Sequence, residues 1–398
     1  MKQKKLKICH VITRMIVGGA QENTLLTVIG LIDKGHEITL VTGFTNGPEG
    51  KLLEQSELVK KYDIKVMEVP HLVRSINPIF DLLAFISLRN IFSLKAFDVV
   101  HTHSSKAGII GRAAACAIGV PFIAHTIHGQ AFHKYEKKWK NWLYIKLEHW
   151  AARRCHQIYA VSQAMITQCL NEYISIPDKY KVVYSGMELE PFLSSKPDEE
   201  LRRKLEIPEN VPIIGSIARL FPLKGYDYLI STAVKVLEKH PNAIFLIVGD
   251  GILKDKLQKQ ILDFGISSNF IFAGLIPPSE IYKYISIMDF LVHLSLREGL
   301  PRTVVQALAS GKPAIGFDLD GTPEVIINNK TGYLIQPKDI DGVANAVIEL
   351  IEKPELAVRM GKAGKKLVSK KFDWHEMVNI LEKEYINGIT KYLGWKKS

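Results

Sequence analysis

Short apolar runs alternate with stretches of helical periodicity through the first half of the chain. The first helical stretch extends from Ala20 to about Asp33, and another covers residues 77–95. Apolar runs separated by helical sequence are typical of the strands and crossover helices of a doubly wound α/β sheet. We therefore predict seven strands in this half, at LKICHVI, EITLVTG, IKVMEVP, FDVVHTH, FIAHTIHG, QIYAVS and KVVYSGM.

The same alternation resumes after a polar interruption. Residues 187–210 contain several prolines and many charged side chains, a composition typical of a linker. Six more strands are predicted after it, at PIIGSIA, AIFLIVG, NFIFAG, FLVHL, PAIGF and GYLIQ. The pattern thus predicts an N-terminal domain over residues 1–186, the linker, a second α/β domain over residues 211–372 and an amphipathic C-terminal helix over residues 373–398 that crosses back toward the first domain.

Composition sets the size and the charge of the molecule. With 398 residues, of which 47% are hydrophobic and 23% charged, the chain can form two globular domains of ordinary size. The formal net charge of +11 favours contact with anions, which include nucleic acid, acidic lipid and phosphorylated small molecules. Charge alone does not choose among these partners.

The cysteines and the N-terminus favour a cytoplasmic protein. Four scattered cysteines without a CxxC pair suggest neither a disulfide framework nor a zinc knuckle. The basic and apolar start is similar to a signal peptide, but Lys7, His10 and Arg14 interrupt its apolar part, so we interpret it as the first strand. No run of 18 or more apolar residues occurs, and we expect no membrane-spanning segment.

Residues 298–324 are the most informative segment, because a strand end leads there into a helix start. After FLVHL come Glu298 and Gly299; Pro301 then occupies the predicted first helical position, and TVVQALAS continues at helical spacing. Free backbone N–H groups and the positive end of the helix dipole form a site for phosphate oxygens, to which Thr303 adds a hydroxyl. The loop DLDGTPE follows the next strand at the same sheet edge, where open α/β folds bind ligands.

Two cations follow the first strand of the second domain. Arg219 ends the run PIIGSIA, and Lys224 with Gly225 comes after a short loop. An arginine, a lysine and a helix N-terminus can together neutralise a diphosphate without a metal ion. Either cation alone is more often a solvated loop charge, and their place beside a glycine at a strand end favours a binding role.

These motifs resemble those of the family 4 glycosyltransferases, also called group 1 glycosyltransferases, over nearly the whole chain. The resemblance implies the GT-B fold, with two doubly wound Rossmann-like domains facing each other across a cleft. It also implies a retaining transfer of sugar from a nucleotide-sugar donor, UDP-linked by analogy, to a hydroxyl of a glycan or lipid-linked acceptor in surface polysaccharide biosynthesis. The matching motifs are GGAQ, HTHSSKAG, HTIHG, VSQ, YSGMELEPF, SIARLFPLKG, VGDG, EGLP with GKP, and DGTPE.

The resemblance assigns donor contacts in the second domain. The family signature is two glutamates separated by seven residues, and Glu298 takes the first place, near the donor sugar, as a catalytic residue. Gln306 stands in the second place, which holds the ribose; its amide loses the strength of a charged acceptor, so we expect weaker nucleotide binding. Arg219 and Lys224 match the diphosphate contacts, and the backbone of residues 299–300, Gly299 and Leu300, matches the sugar contacts.

The first domain contributes a histidine and two glycines to the implied site. His128, at the end of FIAHTIH, matches the family histidine that faces the transferred sugar, and is the second catalytic residue. Gly18 and Gly19 match the loop that approaches the donor phosphates and the acceptor, where glycine permits close approach of the backbone.

We expect no metal ion and no cofactor, because the nucleotide-sugar is itself a substrate. The grouped histidines invite a metal hypothesis, but the acidic or cysteine ligands and the spacings of known metal motifs are missing; they are His101, His103, His125, His128 and His133. Asp318 and Asp320 imitate the D-x-D metal motif of another transferase fold, and we interpret them as loop residues because they precede GTPE.

Residues 133–154 combine seven lysines and arginines with four tryptophans and tyrosines placed among them from Trp139 to Trp150. This mixture suits peripheral contact with an anionic membrane at the inner face of the cell, which would bring a lipid-linked acceptor within reach. A surface helix whose aromatics cover the sheet explains it equally well. Nucleic acid is not expected, since no known binding module surrounds these charges.

Two other functions remain open from sequence. Another GT-B reaction, such as sugar-nucleotide epimerisation, needs no separate acceptor and is distinguished by its product. A catalytically weak sugar-nucleotide-binding subunit is suggested by Gln306. The presence of Arg219, Lys224, Glu298 and His128 favours catalysis over that second alternative.

Overall fold

The computed structural model describes residues 5–44, 52–55, 59 and 61–393. The chain divides into two compact units, of which one comprises Met1–Met187 with Trp374–Ser398 and the other comprises Glu188–Asp373. Residues 394–398 of the predicted C-terminal helix lie outside the described residues. Within the described residues, no helix combines the length and the apolar character needed to cross a bilayer.

The first unit contains a seven-stranded sheet in which every pair of neighbouring strands is parallel. The order β3-β2-β1-β4-β5-β6-β7 confirms the predicted doubly wound sheet, and its direction of winding reverses between β1 and β4. The strands are β1 (Lys7–Ile12), β2 (Glu37–Thr42), β3 (Lys65–Glu68), β4 (Val99–His103), β5 (Phe122–Ile127), β6 (Gln157–Ala160) and β7 (Tyr180–Val182).

The second unit contains a six-stranded parallel sheet with the order β10-β9-β8-β11-β12-β13, which reverses between β8 and β11. All six predicted strands are present. They are β8 (Ile213–Ile217), β9 (Ile244–Val248), β10 (Phe270–Gly274), β11 (Phe290–His293), β12 (Ala314–Phe317) and β13 (Gly332–Ile335). Ligands of such sheets bind beyond the carboxyl ends of the strands at the reversal. Ligand-binding residues are therefore expected in the loops after β1, β4, β8 and β11.

Helices cover both sheets. In chain order they are α1 (Gly19–Asp33), α2 (Leu52–Gln55), α3 (Pro78–Lys95), α4 (Ser105–Ala117), α5 (Lys138–Ala152), α6 (Gln163–Asn171), α7 (Glu190–Leu193), α8 (Glu199–Lys204), α9 (Tyr226–Lys239), α10 (Lys254–Asp263), α11 (Ile281–Ser286), α12 (Arg302–Ala309), α13 (Ile340–Glu352), α14 (Pro354–Lys371) and α15 (Trp374–Leu393). Short 3₁₀ helices occupy Pro177–Lys179, Ser267–Asn269, Pro278–Glu280 and Thr322–Glu324.

Local chemistry explains where several helices begin and end. The side chain of Asn77 accepts hydrogen bonds from the amides of Ile79 and Phe80, and Pro78 opens α3, while Ala96 in the left-handed region ends it. Ser162 and Asp339 cap α6 and α13 in the same way. Such caps satisfy amides that have no partner inside the helix.

The C-terminal helix α15 belongs to the core of the first unit. It packs against α1 and β5, and the side chains of Tyr385 and Ile389 are fully buried there. Gly186 lies so close to Trp374 that a side chain at position 186 would meet its backbone. Burial of the apolar face of α15 therefore ties the end of the chain to the first sheet.

Candidate active site

An ion pair joins the two loops at the reversal of the second sheet. Lys224 follows β8 and Glu298 follows β11, and the lysine Nζ donates to Oε1 of the glutamate over 2.5 Å. Both side chains are mostly buried, with 22% and 15% of their surface exposed. Two of the residues assigned to the donor by resemblance are thus in direct contact, although 74 positions separate them.

The turn that carries Lys224 is fixed by its backbone. Leu223 and Gly225 on either side have φ angles of 69° and 80°. A side chain at position 225 would lie 1.9 Å from the carbonyl oxygen of Leu294, so only glycine fits. The amide of Leu296 also donates to the carbonyl of Leu223 over 2.8 Å. These contacts hold the lysine in place without requiring a ligand.

Glu298 is anchored on several sides. Its amide donates to Oδ2 of Asp320 over 2.9 Å, and Nε2 of His293 lies 3.2 Å from its Oε1, close but poorly aligned for a hydrogen bond. Burial opposes ionisation of this carboxyl, but Lys224 and His293 outweigh burial and hold its pKa well below the usual range. Glu298 is therefore an ionised, fixed acceptor at neutral pH.

Asp320 has a structural role in this loop. Its φ angle of 51° lies in the left-handed region, and its carboxylate caps the amide of Glu298. These contacts agree with the interpretation of Asp318 and Asp320 as loop residues. The carboxylate of Asp320 sets the position of Glu298 through the backbone.

The helix that follows Glu298 begins one residue later than predicted. Pro301 is the N-cap of α12 and Arg302 is the first helical residue, because Pro301 has a ψ angle of 89° that is not helical. No described residue supplies an acceptor for the amides of Gly299, Leu300 and Thr303. These N–H groups and the helix dipole remain suited to anionic oxygens.

Three further residues that the resemblance assigns to the donor lie in the loop after β8 or on α12. Arg219 is exposed, opens the loop that carries Lys224, and has its guanidinium 5.0 Å from the centre of the Phe221 ring. Thr303 and Gln306 lie on α12, and both are half-buried. Stacking on an aromatic ring restricts an exposed arginine and leaves its edge N–H groups available.

Histidines form a connected chain at the reversal of the first sheet. Nδ1 of His10 on β1 lies 2.9 Å from Nε2 of His103 on β4, and Nδ1 of His103 lies 3.0 Å from Nε2 of His128, which follows β5. The rings of His103 and His128 are stacked. His128, the assigned catalytic histidine, is thereby held from behind by buried side chains.

A fourth histidine joins this cluster. The ring nitrogens of His101 lie 2.5 Å from the Tyr385 hydroxyl and 2.7 Å from Oγ1 of Thr126. Ligand atoms of His10, His101 and His103 lie within 4.8 Å of one another, a spacing that a metal ion could exploit. Both nitrogens of His101 and of His103 are, however, engaged by these protein partners, so the arrangement is that of a hydrogen-bond network.

The buried histidines are neutral. Burial lowers the pKa of His10 to about 3. The pKa values of three further histidines also lie well below the usual range, because of burial and of neighbouring histidines or Arg112; they are His101, His103 and His125. Neutral rings can each donate one proton and accept one, which is the requirement for a continuous chain.

Stability is expected to fall as the pH is lowered from 7 to 5.5. The unfolded chain binds protons at these four histidines near pH 6.5 and the folded chain does not, so the loss amounts to about 1 kcal/mol for each histidine. Denaturant unfolding at the two pH values measures it. Replacing His10 by glutamine removes one titrating group and should reduce the loss by about a quarter, whatever its effect on stability at pH 7; an unchanged pH dependence contradicts neutral burial.

The glycine loop and a recess complete the first-unit site. Gly18 is the N-cap of α1 in an extended conformation, and Gly19 is the first residue of that helix. A small recess opens beside His128 and is also lined by Ser104 and Gln130. The buried Arg112 that lines it is neutralised by Glu148, with 2.7 Å between Nη2 and Oε2.

Two parallel sheets with flanking helices are the two Rossmann-like domains of the GT-B fold. Residues 17–191 match the model of Glycosyltransferase Family 4, and residues 197–367 match that of Glycosyl transferases group 1. The chain belongs to this family of group 1 glycosyltransferases, which confirms the resemblance read from its motifs.

Individual relatives cover almost the whole chain. The UDP-Gal:alpha-D-GlcNAc-diphosphoundecaprenol alpha-1,3-galactosyltransferase of Escherichia coli is 30% identical over 369 residues, which are 92% of this chain and 93% of that protein. The D-inositol 3-phosphate glycosyltransferase of Corynebacterium glutamicum is 24% identical over 87% and 86% of the two chains. The structure of Anabaena HepE in complex with UDP and glucose has a TM-score of 0.81 at 20% identity, covering 96% of this chain and 100% of that one.

Sequence reasoning missed two histidines of this site. His10 and His293 lie inside the apolar runs KICHVI and FLVH, where a lone histidine reads as a core residue. The available signal is their position on the central strands of the two sheets, close to a reversal. A polar residue there is expected to have a buried partner, which His103 and Glu298 supply.

Proposed function

We propose that this glycosyltransferase moves a hexose from a UDP-linked donor to a hydroxyl of a lipid-linked glycan, with retention of the anomeric configuration. The Lys224–Glu298 pair beside the amides of α12 is the observation that carries the proposal. The Escherichia coli relative, which uses UDP-Gal and a diphosphoundecaprenol-linked sugar, supports this choice of donor and acceptor. The complex of HepE with UDP and glucose agrees with it.

Fixed charges stabilise the leaving group in this scheme. Breaking the bond at the anomeric carbon sends negative charge onto the diphosphate. Lys224, Arg219, the hydroxyl of Thr303 and the helix amides stabilise that charge more as it grows, so they lower the barrier and do not merely bind the donor. One Nζ donor of Lys224 is used by Glu298, and two remain for phosphate oxygens. No metal ion is required.

The remaining donor groups orient the sugar and the ribose. Glu298, kept ionised, accepts hydrogen bonds from sugar hydroxyls, together with the backbone of Gly299 and Leu300. Gln306 accepts from a ribose hydroxyl. Gly18 and Gly19 permit approach of the phosphates and the acceptor.

The histidine chain determines which ring nitrogen of His128 carries the proton. Nε2 of His10 is buried and has no hydrogen-bond partner among the described residues. An orphaned N–H is costlier than an orphaned lone pair, so the His10 proton belongs on Nδ1 and donates to His103. His103 then donates from Nδ1 to Nε2 of His128, and His128 carries its own proton on Nδ1. In this tautomer His128 donates a hydrogen bond to the sugar or to the incoming hydroxyl.

Peripheral contact with the inner face of the cell membrane is part of this proposal. Trp139 and Trp142 on α5 are each 63% exposed, so these aromatics do not serve mainly to cover the sheet. Exposed tryptophans beside lysines favour the headgroup region of an anionic bilayer. A lipid-linked acceptor is presented there.

UDP is expected to raise the melting temperature of the protein more than GDP or ADP, because a ligand that binds only the folded form stabilises it. Gln306→Glu should strengthen UDP binding about tenfold, since a charged acceptor replaces a neutral one at the ribose. A thermal-shift titration measures both effects. Gln258→Glu, at an exposed position of α10, is the control. Equal shifts with all three nucleotides contradict the donor assignment.

Product analysis tests the reaction itself. Purified protein is incubated with UDP-hexoses and an undecaprenyl-diphosphate-linked sugar or a short-chain analogue, and products are identified by mass spectrometry and by the anomeric coupling in NMR spectra. A lengthened acceptor with the α configuration of the donor supports the proposal. An epimerised donor without acceptor elongation, or nucleotide binding without turnover by wild type and Gln306→Glu alike, replaces it with one of the alternatives.

A further inference from the structure

Helix α3 has two apolar stripes on opposite sides. Ala84, Leu88 and Phe92, spaced by four residues, are fully buried against the unit. The other stripe, at one-turn spacing, faces solvent, and its members are Ile79, Leu82, Leu83 and Ile86, with 70%, 59%, 37% and 44% of their surface exposed.

The exposed apolar surface continues at the start of the helix, with Ile76 just before α3 and Phe80 in its first turn. Ile76 is 60% exposed and Phe80 is 40% exposed, so a contiguous apolar patch covers the start of the helix. Isolated exposed apolar side chains are ordinary, but contiguous patches mark binding surfaces. Fold stability does not explain this patch, because α3 already buries its other stripe.

The patch shares its side of the first sheet with the basic helix α5. The helix α4 packs against both α3 and α5. Right-handed crossovers from β3 to β4, from β4 to β5 and from β5 to β6 put these three helices on the same face of the sheet, away from α1 and α15. Apolar side chains on α3 and tryptophans with lysines on α5 therefore flank one helix.

Charge identifies the partner that fits this face. Arg74 and Arg89, both exposed, lie near the two ends of the α3 stripe, and α5 adds Lys138, Lys140 and Lys146. A bilayer with anionic headgroups accepts apolar side chains at its acyl boundary and cations in the adjoining headgroup layer. An apolar patch bordered by arginines and lysines matches both layers at once.

We propose that the outer stripe of α3 inserts into the interface of an anionic lipid bilayer, with α5 lying in the headgroup layer beside it. This inference rests on the proposed lipid-linked acceptor for its purpose. Its evidence, the exposed stripe and its basic border, is independent of the transfer reaction. It extends the proposed membrane contact from residues 133–154 to a second helix, α3. The sequence pattern predicted α3 only as a helix that connects two strands.

Vesicle sedimentation with the full-length protein tests the inference. Wild type is expected to bind vesicles of phosphatidylcholine with phosphatidylglycerol and to bind pure phosphatidylcholine weakly. The triple variant Ile79→Ser, Leu82→Ser, Ile86→Ser should lower binding by about tenfold or more, because insertion is driven by these side chains. The control variant Ile252→Ser, Leu262→Ser, Phe264→Ser removes three comparably exposed apolar side chains from the second unit and should bind as wild type does.

The outcomes separate this inference from the proposed reaction. Replacing Lys137, Lys138 and Lys140 by glutamate should abolish the preference for phosphatidylglycerol. Unchanged vesicle binding by the α3 variant overturns the inference, as does a wild-type dimer, seen by sedimentation velocity, that the α3 variant dissociates. The two serine variants, in α3 and in the second unit, replace exposed side chains, so each should melt like wild type. Membrane binding without sugar transfer leaves the inference standing and removes the proposed function.

Discussion

Replacing Lys224 by methionine is expected to lower kcat about 10²–10³-fold, the usual cost of removing one preorganised donor from a developing charge. Methionine keeps the length of the side chain and removes its charge. The largest loss is expected in kcat and not in the KM for the donor, because the charge on the diphosphate grows toward the transition state. Steady-state kinetics with a saturating acceptor measures the two constants separately.

Two comparisons show whether that loss is chemical. Lys224→Met also leaves Glu298 without its main partner, so part of the loss could follow from a disturbed site. Arg219→Ala avoids this complication, because Arg219 is exposed and pairs with no carboxylate among the described residues; it should lower kcat with little change in melting temperature. Lys235→Met, which breaks the exposed pair with Asp341, is the matched control. Full activity in both Lys224→Met and Arg219→Ala would refute the leaving-group role.

Replacing His128 by alanine is expected to lower kcat by about 10²-fold or more, since a positioned donor to the sugar or the incoming hydroxyl is lost. UDP binding should be unchanged, because the proposed nucleotide contacts lie in the second unit and in the Gly18–Gly19 loop, and His128 is assigned to neither. Rapid-quench or steady-state rates, together with UDP binding by calorimetry, separate the two effects. A His128→Ala variant that retains wild-type kcat would mean that this histidine is structural.

In the proposed mechanism His103 is a positioning residue that acts through His128. His103→Leu should lower kcat about tenfold, and His103→Asn should restore part of the loss because its amide can still donate to Nε2 of His128. The KM for the donor should stay the same in both. The control is His149→Asn, a substitution in α5 at a histidine that is not part of the hydrogen-bonded histidine chain. Equal activity of the leucine and asparagine variants would contradict the hydrogen-bonded chain.

The strands of both sheets were predictable because each is a short apolar run between helical stretches, and the structure places every one of them. It was also predictable that the loops after β8, β11 and β12 lie at one edge of the second sheet, since parallel strands end there; that they bind a ligand stays a prediction. The contact between Lys224 and Glu298 was not, because it requires the order of the strands in the second sheet. No local pattern encodes that neighbourhood.

Two features were beyond sequence reasoning for a common reason. A histidine in a buried strand, such as His10 or His293, satisfies the apolar pattern whether or not it has a function. Helix α3 likewise has apolar residues on both sides, so its periodicity does not tell which stripe is buried. Burial and partners distinguish these cases, and both depend on tertiary packing. The one-residue shift at Pro301 has a similar origin, since its backbone is set by the packing of the loop.

The most direct test of the central claim is the rate of sugar transfer by protein stripped of metal ions with a chelator, for wild type and for the double variant Arg219→Ala, Lys224→Met. If fixed cations and helix amides receive the departing diphosphate, wild type keeps its full rate in the chelator, and the double variant loses about 10⁴-fold or more while remaining folded. Loss of wild-type activity in the chelator that added metal restores, or persistent transfer by the double variant, would contradict that claim.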